Sequence, residues 1–139
     1  MNYLLDTCLL SELCRLQPNT GVVRWIEHTD ETRLQIAAIS MGEIQKGVTK
    51  LNAGRKQQQI QDWLDQDLRP RFSGRILSID EEVSLEWGIL LGTAERRGRP
   101  QPVIDSLIAA IAVVHNLTLV TRNVSDFESM PIRLLNPWE

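Results

Sequence analysis

Four acidic residues in this chain stand where acids do chemistry. In Asn2-Tyr3-Leu4-Leu5-Asp6-Thr7 a short apolar run ends in an acid, and a helical pattern begins at once. Tyr3, Leu4 and Leu5 suit a strand buried on both faces. Asp6 then falls at its carboxyl end, where open α/β sheets bind their ligands. Ser40-Met41-Gly42-Glu43 places a second acid one turn into the helix that follows the next apolar run. Pro102-Val103-Ile104-Asp105 places a third in the first turn or so of a helix whose following residues, from Leu107 to Val114, carry no charge. Thr121-Arg122-Asn123-Val124-Ser125-Asp126 places the fourth just past another apolar run.

Each of these residues also has an ordinary structural use. Asp6 or Thr7 suits a helix cap. Ser40 and Glu43 match the capping-box pattern. Asp105 suits the positive end of a helix dipole. Asn123 suits a left-handed position, and Asp126 a turn. Gathered on one rim of a parallel sheet, however, Asp6, Glu43, Asp105 and the 123–126 loop are oxygen donors with no nearby Lys or Arg in the sequence. A carboxylate at the head of a buried helix is costly unless it is paired or bound to metal. Oxygen-only ligation selects Mg²⁺ or Mn²⁺. Such an ion activates water and stabilises charge during phosphodiester cleavage.

The elements that must position these acids alternate. Strands are expected at 2–5, 34–39, 75–79 and 117–121, with a fifth at the edge over 132–135. Helices are expected near 7–16 (ended by Gln17-Pro18), after Asn19-Thr20, over 40–52, 55–68, 81–97 and 103–115. Strands separated by helices call for a parallel sheet with right-handed crossovers, covered on both faces. The stretch 40–70 reads as an all-helical excursion suited to holding a partner.

Composition narrows the function. The 139 residues suit one domain, spanning 1–139, and 42% apolar with 24% charged residues is ordinary for a globular protein. No apolar run approaches the ~18 residues of a membrane span. The N-terminus lacks a leader pattern, so a cytoplasmic location is expected, with Cys8 and Cys14 reduced. His28 and His115 match no zinc spacing. A net charge of −3 and a pI near 5.4 argue against a surface that binds nucleic acid all over, while leaving room for a local basic rim. Arg96, Arg97 and Arg99, leading into the Asp105 helix, are the candidates for that rim. No glycine fingerprint for a dinucleotide follows a strand. An aspartyl-phosphatase would want an acid two residues after Asp6, where Cys8 stands.

The pieces Leu4-Leu5-Asp6-Thr7, Ser40-Met41-Gly42-Glu43, Pro102 to Ala110, Thr121-Arg122-Asn123 with Asp126-Phe127, and Asn136-Pro137-Trp138 occur in this order across essentially the whole chain. Together they resemble the PIN-domain ribonucleases, in particular the VapC/FitB-type toxins of bacterial type II toxin–antitoxin pairs. The resemblance implies a three-layer α/β/α fold with a central parallel sheet, and a homodimer. It implies Mg²⁺- or Mn²⁺-dependent endonuclease action on RNA, with a cognate antitoxin protein as partner. Asp6, Glu43 and Asp105 take the family's metal-binding acid positions, and Thr7 and Thr121 its supporting hydroxyls. Asn123 departs from the pattern, standing where many relatives carry a fourth Asp, with Asp126 placed to compensate through water. The alternative from another class is a non-catalytic module that uses this fold only to bind a protein partner. Metal-dependent cleavage separates the two.

Overall fold

A computed structural model describes residues Met1–Glu139. Five short strands, β1 (Tyr3–Leu5), β2 (Leu34–Ala37), β3 (Ile76–Leu77), β4 (Thr118–Val120) and β5 (Arg133–Leu135), form one sheet in the order β3-β2-β1-β4-β5. Every pairing is parallel, and Leu5 sits level with Ile36 on one side and Val120 on the other. The carboxyl ends of β1, β2 and β4 therefore share one edge of the sheet.

Strand side chains alternate between faces, and the core divides accordingly. Leu4, Ala37 and Leu119 pack with α6 (Glu81–Arg96) and α7 (Val103–Val114) on one face. Leu5, Ile36 and Val120 pack on the other with α1 (Thr7–Leu13), α2 (Thr20–Glu27), α3 (Ala38–Lys50) and the segment beyond it. That makes three layers, α/β/α, as the sequence pattern predicts. Each fully buried Leu, Ile or Phe contributes roughly 1.5–3 kcal/mol. α7 is apolar nearly all round because both the sheet and α6 cover it. No helix is long and apolar enough to cross a membrane.

The 40–70 excursion is an antiparallel arm. α3 ends before Asn52-Ala53-Gly54, and α4 (Arg55–Asp62) returns beside it. Gln45 and Gln61 exchange amide hydrogen bonds of 2.8 and 3.0 Å across the arm. Gln57 donates to Val48 O and Leu51 O, satisfying carbonyls that the end of α3 leaves open. α4 continues through a π-helical stretch, Trp63–Leu68, and a last turn, α5 (Arg69–Arg71), which bury Leu64, Leu68 and the following Phe72.

Element boundaries shift at two places that matter. α1 stops at Leu13, short of the expected 16. Glu12, only 6% exposed, accepts the Asn19 N–H at 2.9 Å and turns the chain back early. α3 starts at Ala38, so Ser40 lies inside the first turn and caps nothing.

The C-terminal residues fold back onto the start of α2. Asn19 Nδ2 donates to Glu139 O, and Glu139 N donates to Asn19 Oδ1. Arg24 pairs with the Glu139 side chain at 2.8 Å, an exposed ion pair of little energetic weight. Trp138 packs against the core of that face. A methyl group at Gly21 would run into the Pro137 carbonyl and the Glu139 side chain. Gly21→Ala is expected to lower stability by about 1–3 kcal/mol through overpacking and to expose Trp138, seen as lower Tm with increased quenching of indole fluorescence.

Candidate active site

Asp6 leaves β1 at the shared strand edge and serves as the N-cap of α1. It is 6% exposed. Its Oδ1 accepts the Thr7 N–H at 2.8 Å, and its Oδ2 accepts the Thr121 hydroxyl at 2.8 Å and the Cys8 thiol at 3.6 Å. Burial still holds the Asp6 carboxyl above the usual carboxylate range, because three donors and no full positive charge face it, and Asp126 adds repulsion.

Glu43 projects from α3 toward the same point. Thr7 Oγ1 lies 2.6 Å from Glu43 Oε1 and 2.8 Å from Ser40 Oγ. The threonine hydroxyl carries one proton and gives it to the carboxylate, and buried Ser40 completes the chain. The capping-box expectation is thereby corrected. With the helix beginning at Ala38, the Ser40 hydroxyl and the Glu43 carboxylate bond to Thr7 across the sheet edge rather than to backbone N–H groups.

Asp105 sits in the first turn of α7, after Pro102. The turn is fixed by buried Ser106, whose hydroxyl donates to Pro102 O at 2.8 Å and accepts the Trp87 Nε1–H at 3.0 Å. Asp105 is raised above its ordinary value first by burial, then by Asp6, Asp126 and Glu43. Asp105 thus lies within the fields of the other three carboxylates. None of the chain's ion pairs involves any of them.

The remaining expected residues fall as follows. Thr121 is fully buried behind Asp6, and its Oγ1 also accepts the Asn123 N–H at 3.0 Å. Asn123 caps α8 (Val124–Phe127) with φ −92° and ψ 54°, so the left-handed expectation is wrong. The hydroxyl of Thr121 fixes its backbone instead. Asp126 is on α8, exposed toward the acids. Arg96 ends α6, and Arg97 and Arg99 line a cavity of about 690 Å³ with Gln101, Ser129 and Met130. None of the four acids borders that cavity, so these arginines are not gathered with them.

Three residues at the site escape the sequence reading. Cys8 Sγ touches both Asp6 and Thr121 Oγ1, the latter at 3.5 Å. Ser40 is hidden by its resemblance to a cap. Arg122 contradicts the expectation of no nearby cation, since it stands between Thr121 and Asn123. Its guanidinium lies not on an acid but over the Trp138 ring, 5.9 Å from the centroid.

No three His, Cys, Asp or Glu side chains are drawn close enough to ring a metal ion by themselves. The donor chemistry nevertheless fits a hard divalent cation. The donors are carboxylate and hydroxyl oxygens, uncompensated, with two carboxyls raised by burial and mutual repulsion. Mg²⁺ keeps several waters and takes few protein ligands, so it needs no closed ring of side chains.

Comparison with known proteins points to one family. The family model described as PIN domain matches residues 3–132. The chain is 36% identical to Toxin FitB of Neisseria gonorrhoeae over 135 residues, covering 97% of each. It is 33% identical to VapC ribonuclease Y4jK of Sinorhizobium fredii, covering 97% of this chain and 96% of that one. A crystal structure of FitAcB from Neisseria gonorrhoeae superposes with a TM-score of 0.91 at 35% identity over 99% of both chains.

Proposed function

The chain belongs to the PIN domain family, and we propose that it is the ribonuclease toxin of a type II toxin–antitoxin pair, working in the cytoplasm with Mg²⁺ or Mn²⁺. One observation carries the reading. Asp105 at the head of α7 feels the charges of Asp6, Asp126 and Glu43, none of the four is in an ion pair, and burial raises Asp6 and Asp105. The relatives' names, a toxin and a ribonuclease, support it.

Asp6, Glu43 and Asp105 would hold the cation, with Asp126 close by. When bound, a divalent cation supplies Lewis-acid stabilisation of the charge that builds on a phosphodiester as water attacks it. The chain's own residues prepare for that charge. Thr121, Cys8 and the Thr7 N–H fix the Asp6 carboxylate in one orientation. Thr7 donates its hydroxyl proton to Glu43 Oε1, which holds that carboxylate in place. No hydrogen bond offsets the burial and the three neighbouring charges that raise Asp105. Asn123 contributes no charge, which limits repulsion among the acids and favours one ion before substrate arrives. Sequencing the 5′ ends of RNAs that appear on induction tests the function in the cell. New ends absent from an Asp6→Asn strain are expected, and identical RNA populations would overturn the reading.

Arg96, Arg97 and Arg99 form no ion pair and are proposed to contact RNA phosphates. Neutralising all three is expected to weaken RNA binding and reduce its salt slope by up to about 2, at roughly 0.7 per single-strand phosphate. An unchanged slope would return them to the role of a solvated helix end.

The proposed partners are a second copy of the chain, for which exposed Leu85 and Ile89 one turn apart on α6 offer an apolar face, and a small antitoxin. The antitoxin's C-terminal segment is proposed to lie along the α3–α4 arm and to send an Arg or Lys into the acids, whose oxygens match its donors. Mn²⁺ titrated calorimetrically into the purified complex should then bind more weakly than to the free chain. Equal affinities would refute this mode of inhibition.

A further inference from the structure

Arg122 stands between Thr121 and Asn123 at the site, yet it pairs with none of the acids. It is exposed and forms no ion pair. Its backbone is fixed on both sides by the site. Thr121 behind it holds Asp6, and the Asn123 N–H ahead of it bonds back to Thr121 Oγ1. Its N–H also faces the Cys8 sulfur. The guanidinium therefore has a short tether to the acidic centre and is kept off the carboxylates by the Trp138 ring beneath it.

Trp138 is held in turn. Asn19 and Glu139 exchange two hydrogen bonds, and Gly21 lets the tail approach α2 closely. The indole ring packs into the core of that face, its buried N–H beside the carboxylate of buried Glu12, which it helps hold below the usual range. The ring is thereby anchored with one face under Arg122. A cation stacked on an aromatic ring keeps its edge donors free, and a guanidinium edge matches two phosphate oxygens.

We propose that Arg122 binds a backbone phosphate of the RNA beside the acidic centre, and that the C-terminal Trp138 is the positioning residue that holds its guanidinium free for that contact. The proposal rests on the ribonuclease reading above.

The test uses the full-length chain and a fluorescein-labelled single-stranded RNA of mixed sequence. Arg122→Gln is expected to raise KM about tenfold, the worth of one charge-assisted hydrogen bond, with kcat nearly unchanged. In an Asp6→Asn background the same substitution should reduce the salt slope of RNA binding by about 0.7. Trp138→Leu should raise KM several-fold although Arg122 is intact, and Trp138→Phe should restore most of it, because a ring is what the guanidinium needs. Melting curves of each variant separate packing from positioning. If Trp138→Leu and Trp138→Phe lower Tm alike and leave KM alone, the positioning role is wrong. If Arg122→Gln leaves KM and the salt slope at wild-type values while the wild type cleaves, the phosphate contact is wrong. A wild type that neither binds nor cleaves the RNA overturns the ribonuclease reading and this proposal together.

Discussion

Asp105→Asn is expected to make the metal-free protein melt higher and the metal-loaded protein cleave RNA about 10²–10³-fold more slowly, the usual cost of losing one electrostatic contribution to a transition state. The two effects have one origin. In the folded chain Asp105 is raised above its ordinary value of 3.8, by burial first and then by Asp6, Asp126 and Glu43. A carboxyl with a raised folded pKa binds its proton more tightly folded than unfolded. Stability therefore grows as pH falls through the raised value toward 3.8, and is lost as pH rises through that window. At neutral pH the ionised Asp105 is a net cost to the empty site. Asn keeps the volume and removes the charge, so its advantage in Tm should be present at pH 7 and vanish near pH 3.8, where Asp105 is protonated anyway. Melting curves at several pH values with EDTA, beside turnover with Mg²⁺, measure both halves. A variant that melts lower and is inactive would place Asp105 in packing rather than in cation binding.

Thr121→Val should be the most damaging single change to the fold near the site. Thr121 is fully buried, and its hydroxyl donates to Asp6 Oδ2 at 2.8 Å while accepting the Asn123 N–H at 3.0 Å. Valine has the same shape and can do neither. A lost bond to a charged group and a newly unpaired N–H together cost about 3 kcal/mol, or roughly ten degrees in Tm for a domain of this size. The Asp6 carboxyl, already raised by burial, loses the largest influence that lowers it. Its protonation should then begin at higher pH, moving the acid limb of the pH–rate profile upward. Thr121→Ser, which retains the hydroxyl, should recover the profile even where it does not recover all of the stability. A Val variant as stable as wild type would mean that the Thr121–Asp6 bond carries no weight.

Much of the fold is readable because its signals are local. Leu4 and Leu5 point to opposite cores simply because strand side chains alternate. Asp6 and Asp105 stand out because an acid ends an apolar run or heads an apolar helix. The contacts that escape the sequence are the long-range ones. Ser40 looks like a cap because a capping signature spans four residues, whereas its actual partner, Thr7, is 33 residues away. Cys8 reads as one more residue of an amphipathic helix, and its meeting with Thr121 spans 113 residues. Arg122 passes as a loop residue because only folding brings the Trp138 ring beneath it. Arg97 and Arg99, close to Asp105 in sequence, line a cavity that none of the four acids borders.

Asp6, Glu43, Asp105 and Asp126 are proposed to make this chain a metal-dependent ribonuclease. The most direct test incubates the purified chain with labelled RNA in Mg²⁺, then in EDTA, then with Mn²⁺ restored, alongside Asp6→Asn in Mg²⁺. Cleavage that EDTA stops, Mn²⁺ restores and Asp6→Asn lacks is expected. Cleavage that persists in EDTA, or that Asp6→Asn sustains at the wild-type rate, would contradict it.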